Sequence, residues 1–276
     1  MSNATDTPAA PLGITDLVGR VFRLFRERFQ EIFLVSLLYS VVSLGVSLAL
    51  VGPERTFGLT GPEGMPLDGE AGPGAMGPGA MPMAQIGAGD LIDAVLQILL
   101  SALFVAAVAL LVVEDARGRR AGAPEVLSRA LGTALPVATL SIVIGISVGL
   151  GLVLLVVPGL WIFAVLSVAI PVAAVEGAGL GALGRSAQLT RGYRWPIVGY
   201  GFVFAAIVLA LTLLLGLFVL APLGILLTGG EPGLVGGLVL TLVTALVGAA
   251  YAGLGALPAP VLYLRLLELK EGQGGR

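Results

Sequence analysis

Long apolar stretches without a charged residue are the feature that most constrains this chain. Five stretches lack Asp, Glu, Lys and Arg altogether, at 32–53, 94–113, 130–175, 195–230 and 232–264. A helix of about 20 mostly apolar residues crosses the hydrocarbon core of a bilayer, which is about 30 Å thick. The stretches therefore predict an all-α protein, a polytopic bundle of membrane-spanning helices.

Prolines and glycines divide these stretches into six spans. The third stretch is too long for one helix, and Pro158-Gly159 is a turn pair that divides it into a hairpin. The fourth is interpreted as one helix beginning at Pro196, a favoured first-turn position, and the fifth as one helix ending before Pro258. The predicted spans, within one membrane domain covering 14–270, are 33–52, 91–113, 134–156, 160–175, 196–221 and 234–257.

The composition narrows the chemistry open to the chain. Only 12% of the 276 residues are charged, about half the fraction usual in soluble domains, and the mean hydropathy is +1.02. The chain contains no Cys and no His, which removes thiolate and imidazole metal ligands and the usual general base. The net charge of -2 gives no reason to expect nucleic-acid binding. We therefore expect a non-enzymatic protein with no catalytic residue, cofactor or metal site.

The basic residues predict the orientation of the bundle. All of them except Arg55 fall before span one, between spans two and three, between spans four and five, or after span six. Cytoplasmic loops of membrane proteins are enriched in Lys and Arg. We expect a multi-pass protein of the cytoplasmic (inner) cell membrane with both termini in the cytoplasm.

An amphipathic segment precedes the first span. Residues 14–33 place Val18, Val21, Phe22 and Phe25 on one helical face, with charged residues opposite. Such a helix lies along the membrane surface with its basic side chains reaching the headgroups. Residues 14–33 are therefore predicted to form an interfacial helix that leads into span one.

Three further segments on the arginine-rich side repeat this pattern, at 123–132, 177–190 and 261–270. We interpret them as helices that cap the bundle, and a docking surface for a partner protein or an anionic lipid is the alternative. The residues expected to face inward are Val126, Leu127, Ala130 and Leu131 in the first segment, Leu180, Leu183 and Ala187 in the second, and Leu262, Leu266 and Leu269 in the third.

The remaining segments lack the apolar residues that a core requires. Residues 1–13 are predicted to be a disordered N-terminus, 271–276 a C-terminal tail, and 53–88 a flexible extracytoplasmic loop rich in Gly and Pro. That loop contains four of the five methionines, which leaves binding of Cu(I) as an alternative to a simple flexible loop. These methionines are Met65, Met76, Met81 and Met83.

The polar content of the spans is low. Every charged residue lies at or outside a predicted span end, which disfavours proton-coupled transport. Four serines of span one, at 36, 40, 43 and 47, form a loose stripe that predicts one polar face toward the bundle. Small residues at 145–149, 149–151, 199–201 and 252–256 predict a close helix approach, either within the chain or in a homo-oligomer.

The segment 157–195 carries the most distinctive pattern. In order it contains a Pro-Gly turn, Pro-Val, Glu-Gly, Ala-Leu-Gly-Arg-Ser and Gly-Tyr-Arg-Trp, ending at Trp195. This order resembles the membrane-domain family of glycerophosphoryl diester phosphodiesterases and the related YciC-type inner-membrane proteins. The resemblance implies the multi-pass topology. It does not imply phosphodiesterase activity, since in that family the activity belongs to a separate His- and metal-dependent catalytic domain that this sequence lacks.

Five residues of this segment form the candidate site: Glu176, Arg185, Arg191, Arg194 and Trp195. One interpretation is that Glu176 pairs with an arginine and fixes the turn between spans four and five. The other is that the three arginines bind a lipid phosphate, because the planar guanidinium matches phosphate geometry. The sequence thus predicts a membrane protein that binds or organises lipids or a membrane partner protein. The alternative is a transporter or export permease component for a lipid-like or amphiphilic substrate.

Overall fold

The computed structural model describes residues 12–52, 88–119, 122–217, 223, 225 and 234–274, and all structural statements below concern these residues. Their regular structure is entirely helical. We number the helices in chain order: α1 Ile14–Glu27, α2 Phe29–Leu50, α3 Ala88–Ala116, α4 Ala123–Leu154, α5 Val156–Leu166, α6 Ala169–Glu176, α7 Gly181–Leu189, α8 Arg194–Leu215, α9 Leu234–Ala256 and α10 Pro258–Gly274.

Six segments are long and apolar enough to cross a membrane, which confirms the predicted fold class and the multi-pass character of the chain. They begin with α2, α3 and α4, continue with the combined α5–α6 segment and α8, and end with a segment that covers most of α9 and α10. The break at Leu257, between α9 and α10, falls where Pro258 predicts it.

The central helix of the bundle is α3, which packs against α2, α4, α6, α9 and α10. Its residues Ala106–Val113 are all buried, although they form an unbroken apolar run with no polar face. A helix that is apolar on all sides is expected either in lipid or at the centre of a bundle. The second half of α3 occupies the centre and positions the polar residues that follow it.

The amphipathic segment before span one is not a single helix. The helix α1 ends at Glu27, and α2 begins at Phe29, so 14–33 is divided at Arg28. The buried face of α1 contains Leu17 and Val21, whereas Phe22 is 38% exposed. The predicted face was displaced because α1 packs on α8 and α10 with the side that carries Leu17.

Two of the other amphipathic segments also differ from their prediction. Residues 123–132 belong to α4, which continues through Pro136 into span three, and Leu131 is 61% exposed. In α7 the buried residues are Ala182, Ser186 and Leu189, while Leu180 precedes the helix and is 58% exposed. The helical pattern was right in both cases. In the first segment Val126 and Ala130 are buried as predicted, whereas in the second the buried residues are not the predicted ones. In α10 the predicted face is buried.

The hairpin between spans three and four turns at Leu155, not at Pro158-Gly159. Leu155 is extended, and Pro158 lies in the first turn of α5, where a residue without an N–H is tolerated. Gly159 instead permits close contact, because a Cβ at this position would lie 2.6 Å from the backbone nitrogen of Leu152. Gly151 faces it, so the hairpin closes through two glycines.

Span four is a broken helix. The helix α5 ends at Leu166, Ser167 and Val168 interrupt it, and α6 follows with Pro171 in its first turn. Proline is accommodated in a first turn and is disruptive in a helix interior. The break separates α6, which is almost entirely buried against α3 and α4, from α5, which packs on α4 and α8.

Several predicted segments lie wholly or partly outside the described residues. Residues 1–11 and nearly all of the loop 53–88, with its four methionines, lie outside them. So do residues 218–221, the predicted end of span five. Of the N-terminal segment, Leu12 is described and is buried. Of the C-terminal tail, the first four residues continue α10 to Gly274.

Candidate functional site

One end of the bundle, which we call the arginine-rich end, brings the first and last helices together. Arg20 of α1 donates to Glu268 of α10 at 2.9 Å, and Arg265 contacts the same carboxylate at 2.9 Å. The turn between α3 and α4, the helix α7 and the start of α8 lie at this end as well, since each contacts α6, α10 or α1. Both ends of the described chain therefore lie on the same side.

Glu176 holds the turn that follows span four. Its Oε2 lies 3.4 Å from Nε of Arg185, and its Oε1 accepts a hydrogen bond of 2.9 Å from the hydroxyl of Tyr263. The chain reverses after Glu176 because Gly177 adopts a left-handed conformation with φ of 66°. The carboxylate thus joins α6, α7 and α10.

A second contact holds α7 against the break in span four. The hydroxyl of Ser186 is fully buried and donates to the carbonyl oxygen of Val165 at 2.6 Å, and Thr190 approaches the same oxygen at 3.5 Å. A carbonyl next to a helix break lacks its usual donor four residues ahead. The two hydroxyls supply that donor from a different helix.

Arg194 and Trp195 belong to an aromatic group rather than to the group around Glu176. The guanidinium carbon of Arg194 lies 4.8 Å from the centroid of the Trp161 ring, and Trp161 meets Trp195 edge to face at 6.0 Å. Trp195 is 63% exposed. This arrangement is typical of a cation–π contact with one side open to lipid.

Arg191 contributes its backbone to the site. Its carbonyl oxygen accepts a hydrogen bond of 3.3 Å from Nζ of Lys270, and the same ammonium lies 5.9 Å from the ring centroid of Tyr193. The structure therefore brings Arg185 and Lys270 to one side of α10 and places Arg194 in the aromatic group. Lys270 was not among the predicted site residues.

A cleft of about 300 Å³ opens between α7 and α10. Its lining consists of Arg185, Gln188 and Lys270, with Leu189 and Leu267 as the apolar part. Arg185 contacts Glu176 through Nε, so its two terminal nitrogens are not used in that ion pair. We call this the α7–α10 cleft.

A larger cleft of about 560 Å³ lies between α1, α3 and α10. Its charged lining residues come from all three helices, and its apolar floor includes Val112, Val261 and Leu264. We call this the α1–α10 cleft. Leu267 lines both clefts.

Glu114, at the end of α3, is a buried carboxylate that the sequence did not distinguish from other acids. It is 5% exposed and lies 3.0 Å from Arg119, 3.4 Å from Arg129 and 3.5 Å from Arg117. A buried charge requires such partners, because its desolvation is otherwise costly. Glu114 thereby fixes the turn between α3 and α4 to the first turns of α4.

The neighbouring Asp115 fixes the break between α1 and α2. Nε of Arg28 donates to Asp115 at 2.8 Å, a terminal nitrogen also contacts Asp115, and another terminal nitrogen reaches Glu31 at 3.2 Å. The hydrogen bond to Asp115 raises the pKa of Arg28 above its already high value, although burial opposes this shift. The pairing persists at any physiological pH.

A polar network inside the membrane-spanning helices joins α2 to α3. Ser43 donates to Gln97 at 2.6 Å, Ser47 donates to Asp93 at 3.0 Å, and the Gln97 amide donates to the carbonyl of Ser43 at 3.1 Å. Three of the four serines in the predicted stripe thus face the bundle, since Ser36 is fully buried as well. Asp93 lies in the second turn of α3. This charged residue is therefore close to the start of the span but inside the helix.

Of the glycines predicted to support close helix approach, Gly151 and Gly253 do so within this chain, whereas Gly145 and Gly149 do not. A Cβ on Gly145 or Gly149 would meet no atom within 4 Å, whereas one on Gly253 would lie 2.7 Å from Ile32. Close packing therefore occurs at Gly151, Gly159 and Gly253. Homo-oligomer formation through Gly145 and Gly149 stays a prediction.

No protein family, curated relative or solved structure matches this chain. The resemblance of 157–195 to the membrane-domain family therefore stays a prediction. Within the described part of the chain, no group of three acidic side chains is placed to hold a metal ion.

Proposed function

We propose that this multi-pass membrane protein binds an anionic lipid through its phosphate in the α7–α10 cleft. The observation that carries the proposal is that Arg185 and Lys270, from two different helices, line one cleft together with two leucines. Among the side chains that the structure describes, no acidic one belongs to that lining. Binding without a chemical step is the role that this geometry supports best.

The charges of the cleft favour a phosphate as ligand. The terminal nitrogens of Arg185 form a planar fork that can donate two parallel hydrogen bonds, and Lys270 adds a point charge. The Gln188 side chain supplies further donors. These groups lie at the end of the bundle, where a lipid headgroup meets the protein.

The apolar part of the lining favours a lipid over a free phosphate ion. Leu189 and Leu267 provide a surface for the first carbons of a glycerol or acyl chain, and burial of apolar area stabilises such a contact. Trp195, exposed at the start of α8, is of the type that marks membrane interfaces. The cleft is thus placed and lined for an amphiphile.

The orientation of the bundle forms part of this proposal. All described basic residues lie at the arginine-rich end, and the positive-inside rule then places that end in the cytoplasm. The lipid would be taken from the inner leaflet of the cell membrane. Anionic lipids attract basic segments of proteins at such a surface.

Native mass spectrometry of the full chain in detergent, with phosphatidylglycerol or phosphatidylcholine added, tests the proposal. We expect phosphatidylglycerol adducts on the parent and a loss of about tenfold in Lys270→Gln, because one charge–phosphate contact contributes on the order of 1.4 kcal/mol. Arg185→Lys, which keeps the charge and removes the fork, should show a smaller loss. Inorganic phosphate should not displace the lipid if the leucines contribute.

Arg265→Gln is the matched control for Lys270→Gln. It removes one positive charge from the same helix, but Arg265 contacts Glu268 and does not line the cleft. Thermal unfolding of each variant should stay near that of the parent. Equal phosphatidylglycerol adducts in Lys270→Gln and Arg265→Gln would refute the proposed site.

Transport of an amphiphile is the alternative function. The feature that most resembles a transport pathway is the polar network between α2 and α3. Intramembrane polar residues commonly line substrate pathways. Here the hydroxyls, the amide and the carboxylate bond to one another across the two helices. Helix pairing accounts for them, so the network gives no support to transport over binding.

A further inference from the structure

The α1–α10 cleft carries both signs of charge above an apolar floor. Its lining includes three arginines, at 20, 23 and 117, and three acids, at 27, 115 and 268. The floor is formed by valines and leucines of α3 and α10. A cleft with this composition differs from the α7–α10 cleft, whose described lining residues include no acid.

Most of these charges already have partners. Arg20 contacts Glu268, Arg117 contacts Glu114, and Asp115 contacts Arg28. Two charged residues of the lining have no ion pair with any described residue, and both lie on α1: Arg23 and Glu27. Both side chains are exposed.

The spacing of Arg23 and Glu27 leaves both charges available to a ligand. Residues four apart on a helix lie on the same face with their Cβ atoms about 6 Å apart. A basic residue that precedes an acidic residue by four positions forms a weaker ion pair than the reverse order. The cleft thus presents one cation next to one anion, and neither has an ion-pair partner in the part of the chain that the structure describes.

We propose that the α1–α10 cleft binds a zwitterionic lipid headgroup that contains a phosphate next to a primary ammonium, as in phosphatidylethanolamine. Arg23, with Arg20 beside it, binds the phosphate, and Glu27 accepts hydrogen bonds from the ammonium. The valines and leucines of the floor contact the glycerol end of the lipid.

The chemistry of the cleft selects a primary ammonium over a quaternary one. A carboxylate forms hydrogen bonds with the three N–H groups of a primary ammonium, and a trimethylated nitrogen has none to offer. Recognition of quaternary ammonium typically uses aromatic rings. None of the described lining residues of this cleft is aromatic.

The inference goes beyond the proposed function because the two clefts use different charged residues and different ligands. Among the described residues, their linings share only Leu267. Loss of anionic lipid in Lys270→Gln and loss of zwitterionic lipid in α1 variants are therefore separate results. Either proposal can fail while the other stands.

The test is native mass spectrometry of the full chain with phosphatidylethanolamine, phosphatidylcholine or phosphatidylglycerol at equal concentration. Adducts of phosphatidylethanolamine on the parent should exceed those of phosphatidylcholine severalfold. Glu27→Gln should remove that preference while leaving phosphatidylglycerol adducts unchanged, since only the ammonium contact is lost. Arg23→Gln should lower phosphatidylethanolamine adducts about fivefold.

Arg26→Gln is the matched control, because Arg26 lies on the same helix, is exposed and does not line the cleft. All three variants change surface side chains, so their thermal unfolding should match that of the parent. The proposal is overturned if Arg23→Gln and Arg26→Gln retain equal phosphatidylethanolamine adducts. It is also overturned if Glu27→Gln keeps the preference over phosphatidylcholine.

Discussion

Ser186 shows how a single buried hydroxyl compensates for a helix break in another segment. Its hydrogen bond of 2.6 Å reaches the carbonyl of Val165, which lies just before the interruption of span four. Removing one partner of a buried hydrogen bond leaves the other partner without its bond and without water. The link between α7 and span four therefore depends on this side chain.

We predict that Ser186→Ala destabilises the protein by about 1 kcal/mol, because the carbonyl of Val165 then keeps only the longer contact with Thr190. Ser128→Ala is the control, since Ser128 is exposed and bonds within its own helix; it should change stability by less than about 0.5 kcal/mol. Thermal unfolding in detergent measures both. Equal stability of the two variants would show that the Ser186 bond contributes nothing.

Single residues of the site were only partly predictable from the sequence. The pairing of Glu176 with an arginine was one of two stated interpretations, and the structure brings Glu176 to Arg185. Lys270 and Tyr263 were missed because they approach from α10, far away in sequence. The α2–α3 network had a usable signal, since Ser43/Ser47 and Asp93/Gln97 both have the spacing of one helical turn.

At the level of helices, the hairpin between α4 and α5 depends on glycine where the backbones meet. A Cβ at Gly159 would lie 2.6 Å from both the backbone nitrogen and the side chain of Leu152. The backbone atom cannot rotate away as a side chain can. The two helices would have to separate, which removes contacts along their length.

We predict that Gly159→Ala destabilises the protein by about 1–3 kcal/mol through this overpacking. Gly145→Ala, in the same hairpin, should be neutral or stabilising by up to about 1 kcal/mol, because a Cβ there meets no atom and alanine favours helix. The free energy of unfolding in mixed micelles checks the contrast. Destabilisation by Gly145→Ala as large as that by Gly159→Ala would contradict the packing seen at Gly159.

Helix identity was predicted better than helix boundaries and faces, for a physical reason. Apolar periodicity marks a helix, but an amphipathic helix with apolar residues on several sides can pack on any of them. In α1 the side that carries Leu17 is buried, because this side packs against α8 and α10. Pro158-Gly159 correctly predicted that a hairpin divides this stretch. It did not predict the position of the hairpin loop, because proline fits the first turn of a helix as well as it fits a loop.

On the scale of the whole molecule, charge and packing agree on one end of the bundle. The ion pairs of Arg20, Arg28, Arg185 and Glu114 all lie where α1, α7, α10 and the α3–α4 turn meet. The six spans could be predicted because a bilayer imposes a length and an apolar composition on each helix. The clefts could not, since each is formed by helices distant in sequence.

Both ends of the described chain lie at the arginine-rich end. Labelling of single cysteines can therefore determine which side of the membrane this end faces. The chain has no Cys, so single cysteines can be introduced at Ala75, in the loop between spans one and two, and at Gly184, which is exposed on α7 with no atom near an added Cβ. In intact cells a membrane-impermeant maleimide should label position 75 and not position 184, and in inverted vesicles the reverse. Labelling of position 184 from outside would place the arginine-rich end, and both clefts with it, on the extracytoplasmic side, and the proposed lipids would then have to come from the outer leaflet.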